Sequence, residues 1–362
     1  MRRTLAIITG ILSLWGVSAA LGVVGGAPAD PGTGDHVVAL LDPTQPTTRA
    51  AQFCTGTLLD PQWVVTAGHC TQGLRPDQVQ VAAGQPVLSL VAAENRYVVD
   101  RIAQYPLYDP RRWGHDIALV HLAQPVPPSI SPATERYQRG PRASYAASGW
   151  VSGWGATVEA PQGSDQLLTG QISVSTPAEC REQGAPWGTI CGTMPFSTEA
   201  AACWGDSGGP LEHEGILIGV VSFGPEGCDN SAPTAYTHVG TYSTWVDWVR
   251  SGGDARVSLP EVTSLSARQV PGGRWTRLTM RWCQSGGLGH RVTTRFRAAH
   301  SGESWHYTRA TTRTMRTRCG AWSVQHRHTH RRGQVLTVFA DVRDATTGMR
   351  YWSTYPTRLR IR

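Results

Sequence analysis

The chain has 362 residues, with 33 basic and 26 acidic side chains, a formal net charge of +7, and no lysine, so every base is an arginine. That length allows one core and favours two. Beyond residue 21 no run is long and apolar enough to span a bilayer, which excludes a multi-span helical membrane protein. The charge is unevenly placed: residues 254–362 hold 20 arginines against five acids, a balance of +15, and residues 1–253 hold 13 against 21, a balance of −8. An acidic body therefore precedes a strongly basic end.

Met1-Arg2-Arg3 and the apolar run from Leu5 to Leu21 have the shape of a secretory signal peptide, with Val17-Ser-Ala-Ala20 suited to processing. A membrane anchor is the alternative, but the run is short for one and no basic stop follows it. In an exported chain the eight cysteines, at 54, 70, 180, 191, 203, 228, 283 and 319, read as four disulfides rather than as metal ligands. Short branched or aromatic runs at Val37–Leu41, Thr57–Leu59, Trp63–Thr66, Ile117–Leu122, Gly170–Ser175 and Ile216–Ser222 read as strands between Gly- and Pro-rich turns. Helical spacing is confined mainly to Tyr242, Trp245, Trp248 and Val249, an apolar stripe that implies core packing.

Three short strings carry the chemistry. Ser207 sits in Ala202-Ala-Cys-Trp-Gly-Asp-Ser-Gly-Gly-Pro210, His69 in Val65-Thr-Ala-Gly-His-Cys70, and Asp116 in Gly114-His-Asp-Ile-Ala-Leu-Val120. A serine hydroxyl is a poor nucleophile near neutral pH. It needs a base for its proton and donors for the charge that grows on the substrate. A serine hydrolase follows as the leading reading, and the order His, Asp, Ser differs from that of hydrolases built on a strand–Ser–helix elbow.

From Val23-Val-Gly-Gly26 to the Trp245–Val249 segment the chain resembles a trypsin- or chymotrypsin-like secreted serine peptidase. The resemblance implies an all-β unit over residues 23–250: two packed six-stranded antiparallel β-barrels, a C-terminal helix and a cleft between the barrels. It assigns His69 as general base, Asp116 as its orienting partner and Ser207 as nucleophile, with the N–H groups of Gly205 and Ser207 forming the oxyanion hole. It pairs Cys54 with Cys70, Cys180 with Cys191 and Cys203 with Cys228. Cys283 and Cys319 are left over, both beyond residue 250, and are expected to pair with each other. It also implies activation by a cut between Gly22 and Val23, after which the new ammonium group pairs with Asp206; residues 1–22 then hold the signal peptide and at most a very short propeptide. In trypsin-like relatives an aspartate six positions before the nucleophile attracts Arg or Lys, whereas this chain has Ala201. The pocket walls fall to Ser222, Phe223 and Gly224 on one side and Thr234 on the other, which implies an uncharged pocket of middling depth for Leu, Met, Val or Ala, extending to Phe or Tyr. Trp204 either lies over the bound side chain or covers the Cys203–Cys228 bond.

No cofactor or metal is called for: Glu212-His-Glu214 offers possible ligands, but strand alternation sends neighbours to opposite faces. Gly153-Trp-Gly155 resembles a structural turn of the family. Some relatives bind calcium in a surface loop, and no loop here matches one.

After a break at Ser251-Gly-Gly-Asp254, alternation resumes at Leu278, Met280 and Trp282, at Val292, Thr294, Phe296 and Ala298, at Leu336, Val338, Ala340 and Val342, and at Leu359 and Ile361. Some seven strand-like runs predict a small β-sandwich-like domain over 255–362, stapled by Cys283–Cys319. His326, His328 and His330 alternate among arginines that would repel a metal ion, so a solvated basic face is the better reading. An anionic cell-wall or extracellular polymer, or the acidic body of the enzyme itself, is the partner such charge implies. No motif for sequence-specific nucleic-acid recognition is present, and a monomer is expected. The rival readings are a narrowly specific processing peptidase whose C-terminal domain is a spacer or protein-binding module, and an inactive binding homologue.

Overall fold

A computed structural model describes residues 23–362 except 31, 33, 131–136, 139–147, 158–159, 187, 193–198, 230, 256–260, 271–274, 284–290, 301–305, 310, 315–318, 328–334, 346–349, 353–356 and 361–362. After the short strand β1 (Ala27–Pro28), six strands close into an antiparallel barrel: β2 (Val37–Leu41), β3 (Gln52–Leu58), β4 (Trp63–Thr66), β5 (Gln80–Ala82), β6 (Arg96–Gln104) and β7 (Ala118–Leu122), in the order β2-β3-β4-β7-β6-β5. The sequence of β2 is unbrokenly apolar because both its faces are covered. Val38 and Leu40 join the barrel core with Leu58, Val64 and Leu119. Val37, Ala39 and Leu41 pack with Trp154 and Leu167, from the connection between two strands of the second sheet. Alternation thus survives as a choice between two cores.

The second sheet has seven strands in the order β1-β9-β8-β11-β12-β13-β10. Its further members are β8 (Ser148–Gly153), β9 (Leu168–Ser173), β10 (Thr189–Gly192), β11 (Pro210–His213), β12 (Ile216–Phe223) and β13 (Thr234–His238). Its ends approach each other through one antiparallel bridge, Val174 with Gly192, beside a hydrogen bond from the Ser175 N–H to the Cys191 carbonyl (2.8 Å).

Helices are few. α1 (Thr48–Ala51) and α2 (Pro177–Glu182) are short, and Thr176 and Glu179 close a reciprocal capping box at the start of α2. α3 (Val239–Arg250) buries Tyr242, Trp245, Val246 and Val249. Val246 joins the expected stripe, and Trp248 is half-buried, packs against the same cluster and donates from Nε1 to the Asp254 carbonyl (3.1 Å).

Beyond residue 260, β14 (Glu261–Gln269), β15 (Trp275–Cys283) and β19 (Cys319–Arg327) form a three-stranded sheet. β16 (Arg291–His300), β17 (His306–Tyr307), β18 (Thr311–Thr314), β20 (Val335–Asp344), β21 (Arg350–Trp352) and β22 (Thr357–Arg360) form a six-stranded one. Leu278, Met280 and Trp282, Val292, Thr294 and Phe296, and Leu336, Val338 and Ala340 are all buried, as their alternation requires. β17 and β18 escaped the sequence reading because they are short and carry no apolar period. Ile361, His328, His330 and the side chains of Ala298, Val342, Leu359 and His326 lie outside the described residues. Cys283 stands directly opposite Cys319 in the register of β15 and β19; the side chains that would bond also lie outside them.

Segment 251–255 is tied down. Arg101 Nη2 donates to the Gly253 carbonyl (2.9 Å) and Trp245 Nε1 to the Ala255 carbonyl (3.3 Å). The buried apolar residues of the C-terminal sheets belong to the same contiguous cluster as α3 and the barrel core.

Candidate active site

His69 follows β4 in a single turn of 3₁₀ helix, and Asp116 lies two residues before β7, the hydrogen-bonded neighbour of β4. That pairing brings the two side chains together. His69 Nδ1 lies 2.8 Å from Asp116 Oδ2, and the His69 backbone N–H donates to Asp116 Oδ1 at 2.8 Å. The carboxylate is fully buried. A buried carboxylate needs donors on its remaining lone pairs, and Ser222 supplies one, with its hydroxyl 2.6 Å from Asp116 Oδ2. Thr237 Oγ1 holds the Asp116 carbonyl at 2.6 Å. Nearby, burial together with Asp116 and Asp109 pushes the Tyr108 hydroxyl up to about 12, so it stays neutral.

Ser222 was expected on the pocket wall. The structure turns its hydroxyl to Asp116, at a place where the register between β12 and β13 shifts between Val221 and Phe223. The residue left over at such a bulge has its side chain re-aimed. No sequence signal distinguishes this from regular alternation.

Ser207 reaches the same place from the second sheet. The Thr55 N–H donates to the Ser207 carbonyl (2.8 Å), and Cys70 Sγ lies 3.6 Å from that oxygen. Thr55 and Cys70 are themselves part of the wall that carries His69, because Cys54 and Cys70 form a disulfide. His69 and Ser207 share no hydrogen bond in this structure, a contact that often tightens only once substrate is bound. The Gly205 carbonyl is pinned by Gln52 Nε2 (2.9 Å) and Thr55 Oγ1 (2.8 Å), two residues sequence reasoning missed. Gly205 has φ +98°, a conformation that suits glycine alone. Among the described residues neither the Gly205 nor the Ser207 N–H has a protein acceptor.

Asp206 is buried and receives the N–H groups of Gly155 and Cys203, each at 2.8 Å. Burial pushes its carboxyl up to about 7 against the pull of those two donors. Gly153 and Gly155 close over it; a Cβ on Gly155 would lie 2.4 Å from the carboxylate, which is why this turn has glycine. Val23 is buried among Val151, Leu168, Ala200 and Tyr236. It has φ 50°, unusual for a branched residue, and makes no hydrogen bond with Asp206 in the continuous chain.

Ala201 is buried and bridges to Val24. Thr234 is buried, and a Cβ built on Gly224 would lie 3.1 Å from its hydroxyl, so these two positions face each other closely. Trp204 is 67% exposed and donates from Nε1 to the Glu226 carbonyl (3.2 Å), which lays it along the Cys203–Cys228 loop. Trp113 was not foreseen. Its ring meets His69 edge-on at 5.4 Å and Phe223 at 5.8 Å, so it covers one flank of the cleft. Its place three residues before Asp116 was the available clue.

Cys180–Cys191 is the third disulfide among the described residues. Cys54, His69 and Cys70 cluster tightly enough to hold a metal, but both sulfurs are bonded to each other. Glu212 pairs with His36 (2.9 Å), while His213 bonds the Ser148 carbonyl through Nδ1 (2.9 Å) and lies 3.9 Å from Glu214 through Nε2.

Residues 23–246 match the family model described as Trypsin. A trypsin of Saccharopolyspora erythraea is 33% identical over 227 residues, covering 61% of this chain and 94% of that protein. Serine protease SP24D of Anopheles gambiae is 32% identical over 231 residues, 62% of this chain and 79% of its own. A trypsin of Squalus acanthias is 31% identical over 200 residues, 54% and 84% of the two chains. The chain belongs to the trypsin family: it is a trypsin-like serine endopeptidase, and its substrates are polypeptides. The family match ends at residue 246, before the arginine-rich region. No helix among the described residues is long and apolar enough to cross a membrane.

Proposed function

We propose that Ser207, His69 and Asp116 form the catalytic triad of a secreted endopeptidase with an uncharged specificity pocket. The observation that carries the proposal is the buried Asp116 carboxylate, held by His69 and Ser222 beside a serine loop with two N–H groups that have no acceptor among the described residues. Neutral His69 takes the Ser207 proton as the hydroxyl oxygen attacks the scissile carbonyl. Asp116 fixes the histidine tautomer and favours the imidazolium as it forms. The Gly205 and Ser207 N–H groups stabilise the oxyanion. His69 then gives the proton to the departing amine and leaves an acyl-enzyme on Ser207. Water, deprotonated by the same imidazole, attacks the acyl carbonyl and releases the acid and the free serine.

Ala201 removes the charge that would draw arginine, and Thr234 facing Gly224 limits the depth. The preferred residue before the cut is accordingly Leu, Met, Val or Ala. Residues 1–22 act as an export leader, and release of the Val23 amino group activates the enzyme by giving buried Asp206 a counter-charge. The second sheet is the second barrel, a reading supported by the Val174–Gly192 bridge. Residues 255–362 form a basic sandwich that concentrates the enzyme on anionic surfaces, by an attraction that added salt weakens.

The trimmed protein incubated with an untargeted peptide library tests the first part. Cuts after Leu, Met, Val or Ala are expected, and none from Ser207→Ala. Rapid cleavage after Arg with none after Leu would overturn the pocket reading, and full activity of Ser207→Ala would overturn the triad.

A further inference from the structure

The two C-terminal sheets leave a recess between them of about 30 Å³, lined by β16 and β18 on one side and β19 on the other. Its construction is unlike a plain core. β18 pairs only with β16, and the register sets Arg313 opposite Val292 and Thr311 opposite Thr294. Partners across an antiparallel pair share a face. Val292, Thr294 and Phe296 point into the core; Arg313 and Thr311 stand on that same face but are exposed, at the open edge of the recess. Across the gap stand Trp322 and Val324 of β19, both half-buried. At the mouth, Arg309 is held by the clamp next to it: the Phe296 N–H donates to Thr308 Oγ1 (3.0 Å) and the Thr308 N–H to the Phe296 carbonyl (2.9 Å).

One buried group is unsatisfied, and two exposed cations stand beside it. The Thr294 hydroxyl, 96% buried and on the lining, has no hydrogen-bond partner in the structure, although a buried hydroxyl normally has one. Arg309 and Arg313 form no ion pair among the described residues, and no acidic residue lines the recess. An arginine on an edge strand also discourages edge-to-edge pairing. That role accounts for neither the unpartnered Thr294 nor the aromatic wall.

We propose that this recess binds the pendant acidic group, carboxylate or sulfate ester, of an acidic polysaccharide. Arg313 and Arg309 would pair with the anion, the Thr294 hydroxyl would donate to it, and Trp322 would lie against the apolar face of the sugar ring. The narrowness selects the class. A uronate or sulfate projects from its chain and enters end-on, whereas a nucleic-acid phosphate is bonded into its backbone on both sides. The proposal rests on the reading of residues 255–362 as a module for anionic surfaces, and adds a defined site to it.

The full-length Ser207→Ala protein supplies the test, with polygalacturonate, dextran sulfate, neutral dextran and duplex DNA as probes at near-physiological salt. Binding to polygalacturonate or dextran sulfate, and not to neutral dextran, is expected; which of the two binds tells carboxylate from sulfate. Arg313→Gln and the near-isosteric Thr294→Val should each weaken binding about tenfold, while Arg277→Gln, an exposed arginine outside the recess, should change it by less than about twofold. Equal losses from Arg313→Gln and Arg277→Gln would overturn the site but leave the surface-targeting reading standing. Tighter binding of DNA, equally sensitive to Arg313→Gln, would overturn the ligand class. No binding to any polyanion would overturn both. Thermal melting of each variant separates a lost contact from a lost fold, and Thr294→Val keeps the test open if Arg313→Gln unfolds.

Discussion

Asp116 concentrates the demands of the site on one carboxylate. With no solvent exposure, its charge depends on the His69 ring, the His69 N–H and the Ser222 hydroxyl. Ser222→Ala removes a hydrogen bond to a charged group, of the order of 1.5–3 kcal/mol, so kcat should fall at least about tenfold with KM little changed. A changed KM with constant kcat would instead place Ser222 on substrate. Asp116→Asn should lower kcat roughly 10⁴-fold by presenting the wrong histidine tautomer. Asp206 gives a pH signature. Its carboxyl titrates at about 7 in the folded continuous chain, against the ordinary 3.8 when unfolded. Stability from the protonated form is therefore complete below pH 3.8 and is lost as pH rises through 7. Untrimmed protein should weaken by roughly 4 kcal/mol across that window in denaturant titrations, and Asp206→Asn should flatten the slope. In trimmed protein the Val23 ammonium should remove most of the dependence.

Elements decide where these groups point. The bulge in β12 lies where the Ser222 hydroxyl turns to Asp116, and the adjacency of β4 and β7 brings His69 to Asp116. On β13, Thr234 stands close against Gly224, the contact we propose narrows the pocket. Thr234→Gly should open that space and raise kcat/KM for Phe or Tyr relative to Ala before the cut, by about 1–3 kcal/mol in ΔΔG‡. Comparison of matched peptides would show it, and an unchanged ratio would remove Thr234 from the pocket. The Cys203–Cys228 bond spans 25 residues and ties the serine loop to the segment beside the pocket. Replacing both cysteines with serine should lower stability by about 2–4 kcal/mol in chemical denaturation.

At the scale of the molecule, the arginine-rich region is docked onto the peptidase. α3 and the barrel share a contiguous apolar cluster with the C-terminal sheets, and Arg101 and Trp245 bond the connecting segment. Ending the chain at residue 250 would uncover apolar surface around α3. We expect the shortened enzyme to cleave peptides with a similar kcat/KM but to melt several degrees lower. An unchanged melting temperature would make the C-terminal region an energetically separate body.

Alternation at Leu278–Trp282 and Leu336–Ala340 was legible because burying one face of a strand requires period two. Membership of the trypsin family was legible in the strings around His69, Asp116 and Ser207, because each string tolerates few residue types. The charge imbalance is likewise a property of sequence alone. Only the tertiary structure decided that Val246 joins the helical stripe, that Ser222 serves Asp116, that Gln52 and Thr55 hold Gly205, and that Arg313 stands beside the recess on the face Val292 shares. Each of those depends on register, a bulge or a contact between residues distant in sequence. Local pattern cannot encode which of two faces a neighbour from another part of the chain will cover.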